Sequence, residues 1–257
     1  MARSRYEGTR MFHLVTRTWN PVTGCRHDCV YCWARKLVET RLSKITEKYR
    51  EGFSPRLHRN ELRAKFRPNE LVFVCDMGDL FGEWVPDEWI MKVFGVIRRY
   101  PRTDFLLLTK NPFRYVELLE KYGAEVFSKN MIFGTTIETL DDDLYNAYRI
   151  SRAPPPSLRL QWLGIFVDKM VEQAGYYPKT FISVEPILLY WTTTDIEVFA
   201  NIVAERIKPI AVYVGYDNYS VTEKLRIPEP SLDTTRKLIE ALRSRGITVY
   251  TLSLIHI

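Results

Sequence analysis

Apolar residues in this chain fall into short, nearly continuous runs, separated by stretches where they recur every three or four positions. The runs are Phe12–Thr16, Leu71–Asp76, Asp104–Thr109, Met131–Thr136, Thr180–Val184, Ala211–Gly215 and Thr248–Leu252. A run with little alternation is what a parallel strand covered on both faces requires. Helical spacing occupies Ala34–Tyr49, Asp87–Arg99, Pro112–Tyr122, Leu158–Gln173, Thr194–Ile207 and Leu232–Arg245. Asp87 behind Pro86 and Asp195 behind a threonine run read as helix starts, and Asn111-Pro112 ends a strand and opens a helix. Strand and helix alternate repeatedly, which predicts a parallel α/β sheet, open or closed. Ala153-Pro154-Pro155-Pro156 is a stiff connector too short to separate domains, and Gly52–Pro68 is the longest excursion.

Polar residues gather just after five of these runs: Asp79, Lys110, Glu138, Glu185 and Asp217. In parallel sheets ligands lie beyond the carboxyl ends of the strands, so these positions are expected to face one site. Any one of them alone is ordinary loop polarity.

Composition narrows the class. The 257 residues, 46% hydrophobic and 13% aromatic, suit one large domain or two small ones and exclude a disordered or fibrous chain. No apolar run approaches the ~18 residues of a membrane span. Met1–Arg5 is basic without an apolar stretch behind it, so the expectation is a cytoplasmic protein without a secretory signal. The tail Leu252–Ile257 resembles the translation of a sequencing adapter. It and its His256 are therefore set aside, with the expectation that the natural chain continues past Tyr250 or Thr251.

The formal charge of +6 is uneven. Arg35–Arg67 holds eleven Lys and Arg against four acids, Glu39, Glu47, Glu51 and Glu61. Tyr49, Phe53 and Phe66 interleave with these cations, as in surfaces that track phosphates and stack bases. A solvated face, or contact with a reductase or another acidic partner, is the alternative.

Four cysteines are too few for a disulfide scaffold. Cys75, inside a strand run, reads as a small core residue. Cys25, Cys29 and Cys32 crowd one loop in CxxxCxxC spacing, with Tyr31 just before the last. Three thiolates can hold three irons of a four-iron cluster and leave the fourth open. A structural zinc would need a fourth ligand, for which His27 and His13 are candidates. A zinc- or cluster-stabilised module that binds nucleic acid without catalysis therefore stays open.

The loop spacing closely resembles that of the radical S-adenosylmethionine (SAM) superfamily. The wider sequence is similar to an uncharacterised, often phage-associated radical-SAM-like family with a Trp-Asn-Pro-x-x-Gly-Cys opening, here Trp19–Cys25. Gly52–His58, Val72–Gly82, Leu106–Pro112, Phe133–Glu138 and Ser183–Pro186 carry the likeness onward. Thr109-Lys110, Arg152-Ala153-Pro154 and Glu185-Pro186 are also similar, more weakly, to spore photoproduct lyase.

These resemblances imply a partial (β/α)6-type barrel over residues 1–251, with a basic insertion at about 35–68. They imply a 4Fe-4S cluster on Cys25, Cys29 and Cys32, with SAM on its open iron. They imply reductive cleavage of SAM to a 5′-deoxyadenosyl radical that abstracts hydrogen from a substrate, and an external flavodoxin- or ferredoxin-like electron donor. The substrate is expected to be a nucleic acid or nucleotide, through Arg35–Arg67. Cofactor contacts are expected from Tyr31, Asp79, Lys110, Thr136, Glu138 and Glu185. Met77-Gly78-Asp79 stands where the superfamily often has Gly-Gly-Glu.

Overall fold

The structure is a computed structural model that describes residues 12, 14–217 and 221–252. Seven parallel strands form one sheet in chain order: β1 Arg17–Trp19, β2 Leu71–Val74, β3 Asp104–Thr109, β4 Met131–Thr136, β5 Lys179–Val184, β6 Ala211–Gly215 and β7 Val249–Leu252. Each strand pairs with its predecessor, so every connection crosses in the same sense and the sheet curls into a partial barrel. The longer helices and the one that follows the cysteine loop are α1 Trp33–Leu37, α2 Asp87–Ile97, α3 Phe113–Tyr122, α4 Asp142–Ala147, α5 Pro156–Ala174, α6 Thr193–Ile202 and α7 Leu232–Ser244, with a further short turn of helix at Val221–Leu225. Thr192 and Asp195 close a capping box on α6, as the threonine run suggests.

The strands are apolar throughout because both faces are covered. Val72, Val74, Phe105, Leu107, Phe133, Ile182, Val212 and Val214 pack in the main core with the helices. Phe73, Leu106, Ile132 and Phe181 belong to a second cluster with Phe12, Val15 and Tyr213. That cluster explains one departure from expectation. The run Phe12–Thr16 is not a strand; β1 starts only at Arg17. Phe12 is fully buried, its ring 4.5 Å from Tyr213 and 5.4 Å from Phe73, so Phe12 and Val15 plug the inner face of the sheet.

The stretch expected as one helix, Ala34–Tyr49, is broken. After α1 it passes through a π turn at Val38–Leu42, three α residues at Ser43–Ile45 and a 3-10 turn at Glu47–Tyr49. Thr40 donates its hydroxyl to the Lys36 carbonyl at 2.6 Å, a local bond that competes with helix propagation, and Thr46 is extended. A further departure concerns the aromatics of the basic segment. Tyr49, Phe53 and Phe66 are 8%, 9% and 7% exposed, so they are core residues and present no rings for stacking. Cys75 is buried in the main core, and no helix among the described residues is long and apolar enough to cross a membrane.

Candidate functional site

The cysteine loop leaves β1 at its carboxyl end, and each residue of the Trp-Asn-Pro-x-x-Gly opening fastens it. Trp19 is buried and donates Nε1 to the Glu61 carbonyl at 2.9 Å. Asn20 reaches the exit of β2, accepting the Met77 amide at 2.9 Å and donating to Asp76 Oδ1 at 2.5 Å. The Pro21 carbonyl accepts the His58 amide at 2.7 Å. Gly24 has φ +83°, and a Cβ there would lie 2.3 Å from the Ser54 carbonyl oxygen. At its bridge partner Gly78 a Cβ would lie 2.9 Å from the Gly24 carbonyl oxygen. Two glycines are what allow these turns to touch.

The three thiols follow along the loop, all free and half-buried. Cys25 Sγ accepts the His27 amide at 3.4 Å, and Cys32 caps α1 by accepting the Arg35 amide at 3.4 Å. Cys29 Sγ lies 3.2 Å from Ser151 Oγ. Ser151 belongs to a clasp after α4. Ile150 accepts the Val30 amide at 3.0 Å, and the His27 carbonyl accepts both the Arg152 amide at 2.6 Å and the Ser151 hydroxyl at 2.9 Å. Burial pushes the Cys25 and Cys29 thiols up; at Cys29 the Lys110 charge opposes it. A metal or cluster would therefore displace protons on binding.

No three His, Cys, Asp or Glu side chains among the described residues converge as a preformed single-ion site. His27, a candidate fourth zinc ligand, instead turns Nε2 to Asp79 Oδ2 at 3.0 Å and packs its ring edge-on to Trp84. His13 lies outside the described residues.

Asp79 is buried and takes four donors. Oδ1 accepts from the Thr109 hydroxyl at 2.7 Å and the Phe81 amide at 2.9 Å; Oδ2 accepts from His27 and from the Lys110 amide at 3.0 Å. Burial alone would raise this carboxyl, but the His27 bond and charge, helped by the other donors, bring it below its ordinary value. Its acceptor positions are filled from within the protein. Asp79 thus fastens the cysteine loop to the exits of β2 and β3.

Three of the expected residues do meet. Glu138, fully buried beyond β4, accepts the Tyr31 hydroxyl and stands 3.3 Å from Lys110 Nζ. Lys110 Nζ is also 5.3 Å from the centroid of the Tyr31 ring. Sequence reasoning missed the other half of this hub. Arg159 on α5 is fully buried and donates to Glu138 Oε2 at 2.8 Å, the Thr136 carbonyl at 2.7 Å, the Pro154 carbonyl at 2.6 Å and the Tyr145 hydroxyl at 2.7 Å. Tyr145 in turn donates to Glu138 Oε1 at 3.3 Å. Burial would raise the Glu138 carboxyl, yet Arg159, Lys110 and the Tyr31 bond hold it down to about 2. Two cations against one carboxylate leave the hub with one surplus positive charge beside Cys29. The signal for Arg159 was a cation on the apolar stripe of α5, in line with Leu163, Phe166 and Met170.

The remaining expected positions are less central. Thr136 contributes its backbone to Arg159. Glu185 follows β5 at the same end of the sheet, its carboxyl pushed up to about 7 by burial. Asp217 accepts the Thr222 amide at 3.0 Å and closes a local turn.

The sequence profile of the family described as "Protein of unknown function (DUF5131)" matches residues 11–164. This chain belongs to that family. The matched span holds the cysteine loop, Asp79, the Glu138 hub and the Ser151 clasp; Glu185 lies beyond it. No curated protein matches the chain. Among solved structures, a spore photoproduct lyase variant with bound AdoMet and dinucleoside spore photoproduct is 13% identical, with a TM-score of 0.57 over 91% of this chain and 76% of that one. A radical SAM methyltransferase from Sphaerobacter thermophilus is 13% identical, with a TM-score of 0.50 over 94% of this chain and 67% of that one. At such identity the likeness establishes the fold: this member of the family has the partial barrel of radical SAM enzymes.

Proposed function

We propose that the protein is a radical SAM enzyme whose Cys25, Cys29 and Cys32 hold a 4Fe-4S cluster. The observation that carries this reading is the clamped three-thiol loop at the carboxyl end of a sheet with that fold. The donor set fits: three free thiols, two of them accepting backbone amides and the third beside a hydroxyl. When bound, such a cluster supplies the electron that cleaves the sulfonium of SAM. Lys110 and Arg159, in surplus over Glu138, favour a carboxylate beside Cys29. Tyr31 ties the loop to the hub, and Asp79 holds the loop's base through His27. Thr136 and Glu185 complete the rim on which we place the rest of the cofactor.

A nucleotide or nucleic acid is the substrate class we favour. Arg26, Arg149 and Arg152 are exposed around the cysteine loop, and one similar structure holds a dinucleoside photoproduct. A flavodoxin- or ferredoxin-like donor would supply the electrons.

Anaerobic reconstitution with iron and sulfide should give a brown protein with broad visible absorbance. Dithionite and SAM should then yield 5′-deoxyadenosine, and Cys29→Ala should abolish both. A colourless protein holding one zinc per chain and no SAM would instead identify a metal-stabilised module without catalysis.

A further inference from the structure

The basic segment Arg35–Arg67 does not form a single surface. Its first part stays with the cysteine loop, and three of its acids are matched: Glu47 by Arg50 at 2.8 Å, Glu61 by Lys48 at 2.5 Å, and Glu51 by Arg56. Beyond His58 the chain descends beside β1 toward the amino end of the sheet. The Glu61 carbonyl meets Trp19 at the end of β1, and the Lys65 carbonyl meets Arg17 at its start.

Along this descent the side chains alternate. Leu62, Ala64 and Phe66 pack against the main core, while Arg63, Lys65 and Arg67 are exposed. The backbone between them is pinned: Leu62, Ala64 and Arg67 carbonyls accept from Arg99, Tyr100 and Thr103 at 3.1, 3.2 and 2.8 Å. Those bonds bring up a second row, exposed Arg98, Arg99 and Arg102, from the end of α2 and the approach to β3. Arg17 flanks the first row. No ion pair joins any of these cations to a carboxylate among the described residues; Glu70 accepts the Arg67 amide through its side chain, while Glu61 and Asp104 are paired with Lys48 and Lys179.

We infer that Arg63, Lys65, Arg67, Arg98, Arg99 and Arg102 form a docking surface for the phosphate backbone of double-stranded nucleic acid. Arg63 ends a 3-10 turn, and Lys65 and Arg67 follow it on irregular backbone, so three cations stand within five residues, against a duplex that carries one phosphate per about 3.4 Å of each strand. Five of the six are arginines, able to grip phosphate with two parallel bonds; Arg98 and Arg99 each spend one nitrogen on the Val126 and Leu62 carbonyls and keep their other donors. Phe66 is buried, and half-buried Tyr100 packs on it and spends its hydroxyl on the Ala64 carbonyl. No fully exposed ring therefore stands among these cations, which favours a duplex over a single strand. The same burial leaves no apolar side chain to enter a bilayer, as a membrane-surface site would want. An electron donor is a poor fit, because the patch lies at the amino ends of the strands and the cysteine loop at their carboxyl ends. The surface therefore sets residence on the polymer and has no part in choosing a base. It deepens the nucleic-acid reading above but stands on its own geometry.

The test uses the reconstituted full chain and a fluorescein-labelled 20-base-pair mixed-sequence duplex, read by anisotropy across a salt series. Six phosphate contacts predict a slope of log K against log salt near −5. The R63Q/K65Q/R67Q variant should flatten the slope by about 3 and weaken binding on the order of 100-fold at 0.1 M salt. K36Q/R41Q/K44Q, beside the cysteine loop, should leave both unchanged. A loss in this second variant equal to that in the first, or a first variant that binds like the parent, overturns the proposal. So does preferential binding to phosphatidylserine vesicles. A protein that yields 5′-deoxyadenosine but ignores the duplex refutes the docking surface alone. One that binds the duplex without forming a cluster refutes the enzyme reading alone.

Discussion

Replacing Glu138 with glutamine would cut the centre of the buried hub while keeping its volume. Wild-type Glu138 is held at about 2 against an ordinary 4.5, which corresponds to roughly 3 kcal/mol of stability near neutral pH. Removing one partner of a fully buried pair costs about 3–5 kcal/mol by the same physics, because Arg159 would remain charged and unmatched. Against a total of about 5–15 kcal/mol, this loss is large. The sign follows from the lowered carboxyl. Its contribution is complete above pH 4.5 and disappears as pH falls through about 2. Urea unfolding should therefore show E138Q about 3 kcal/mol less stable than wild type at pH 7, with the gap closing between those two values. Other lowered carboxyls, such as Asp87, also lose stability in acid, so the readout is the difference between the two proteins. The E138Q/R159M double variant should recover part of the loss, since it removes the stranded guanidinium. An E138Q protein within 1 kcal/mol of wild type at pH 7, or a double variant worse than both singles, would refute the reasoning.

Three further outcomes follow from other features. Gly24→Ala should cost roughly 1–3 kcal/mol and impair iron loading, because the new Cβ meets the Ser54 carbonyl in a left-handed backbone; thermal melts and iron analysis check it. Glu185, pushed up to about 7 by burial, costs stability as pH rises from 4.5 through 7. Glu185→Gln should remove that decline, by roughly 3 kcal/mol at most, in a pH series of urea midpoints. Ser151→Ala removes the hydroxyl that donates to the His27 carbonyl beside Cys29 Sγ, and thermal melts should show the loss of this clasp as roughly 1 kcal/mol.

Much of the architecture was legible because strands covered on both faces leave continuous apolar runs, and six of the seven expected runs are strands. Phe12–Thr16 misled because burial as a plug and burial in a sheet demand the same residues. The cysteine loop was visible from spacing alone. The hub was half visible: Lys110 and Glu138 stand at strand ends where polarity attracts notice, whereas Arg159 sits inside a helix and Tyr145 in a short helix with no periodic signal. Asp79 was noticed for its position, but the four donors that occupy it come from residues 27, 81, 109 and 110 and were not legible in the sequence. The basic segment read as one surface because sequence does not reveal that the chain descends the full height of β1 between Glu61 and Lys65.

The Ser151 clasp also bears on the order in which the protein matures. Cys29 and Ser151 are 122 residues apart, and between them lie β2, β3, β4 and α4. Closing so long a loop is entropically expensive until the intervening sheet has formed. During synthesis the cysteines emerge first, and the residue that clasps Cys29 emerges 122 residues later. The thiol loop is thus shaped late: a nascent chain without β4 presents cysteines but no finished clasp, so under the reading proposed above iron would load only after the sheet has formed.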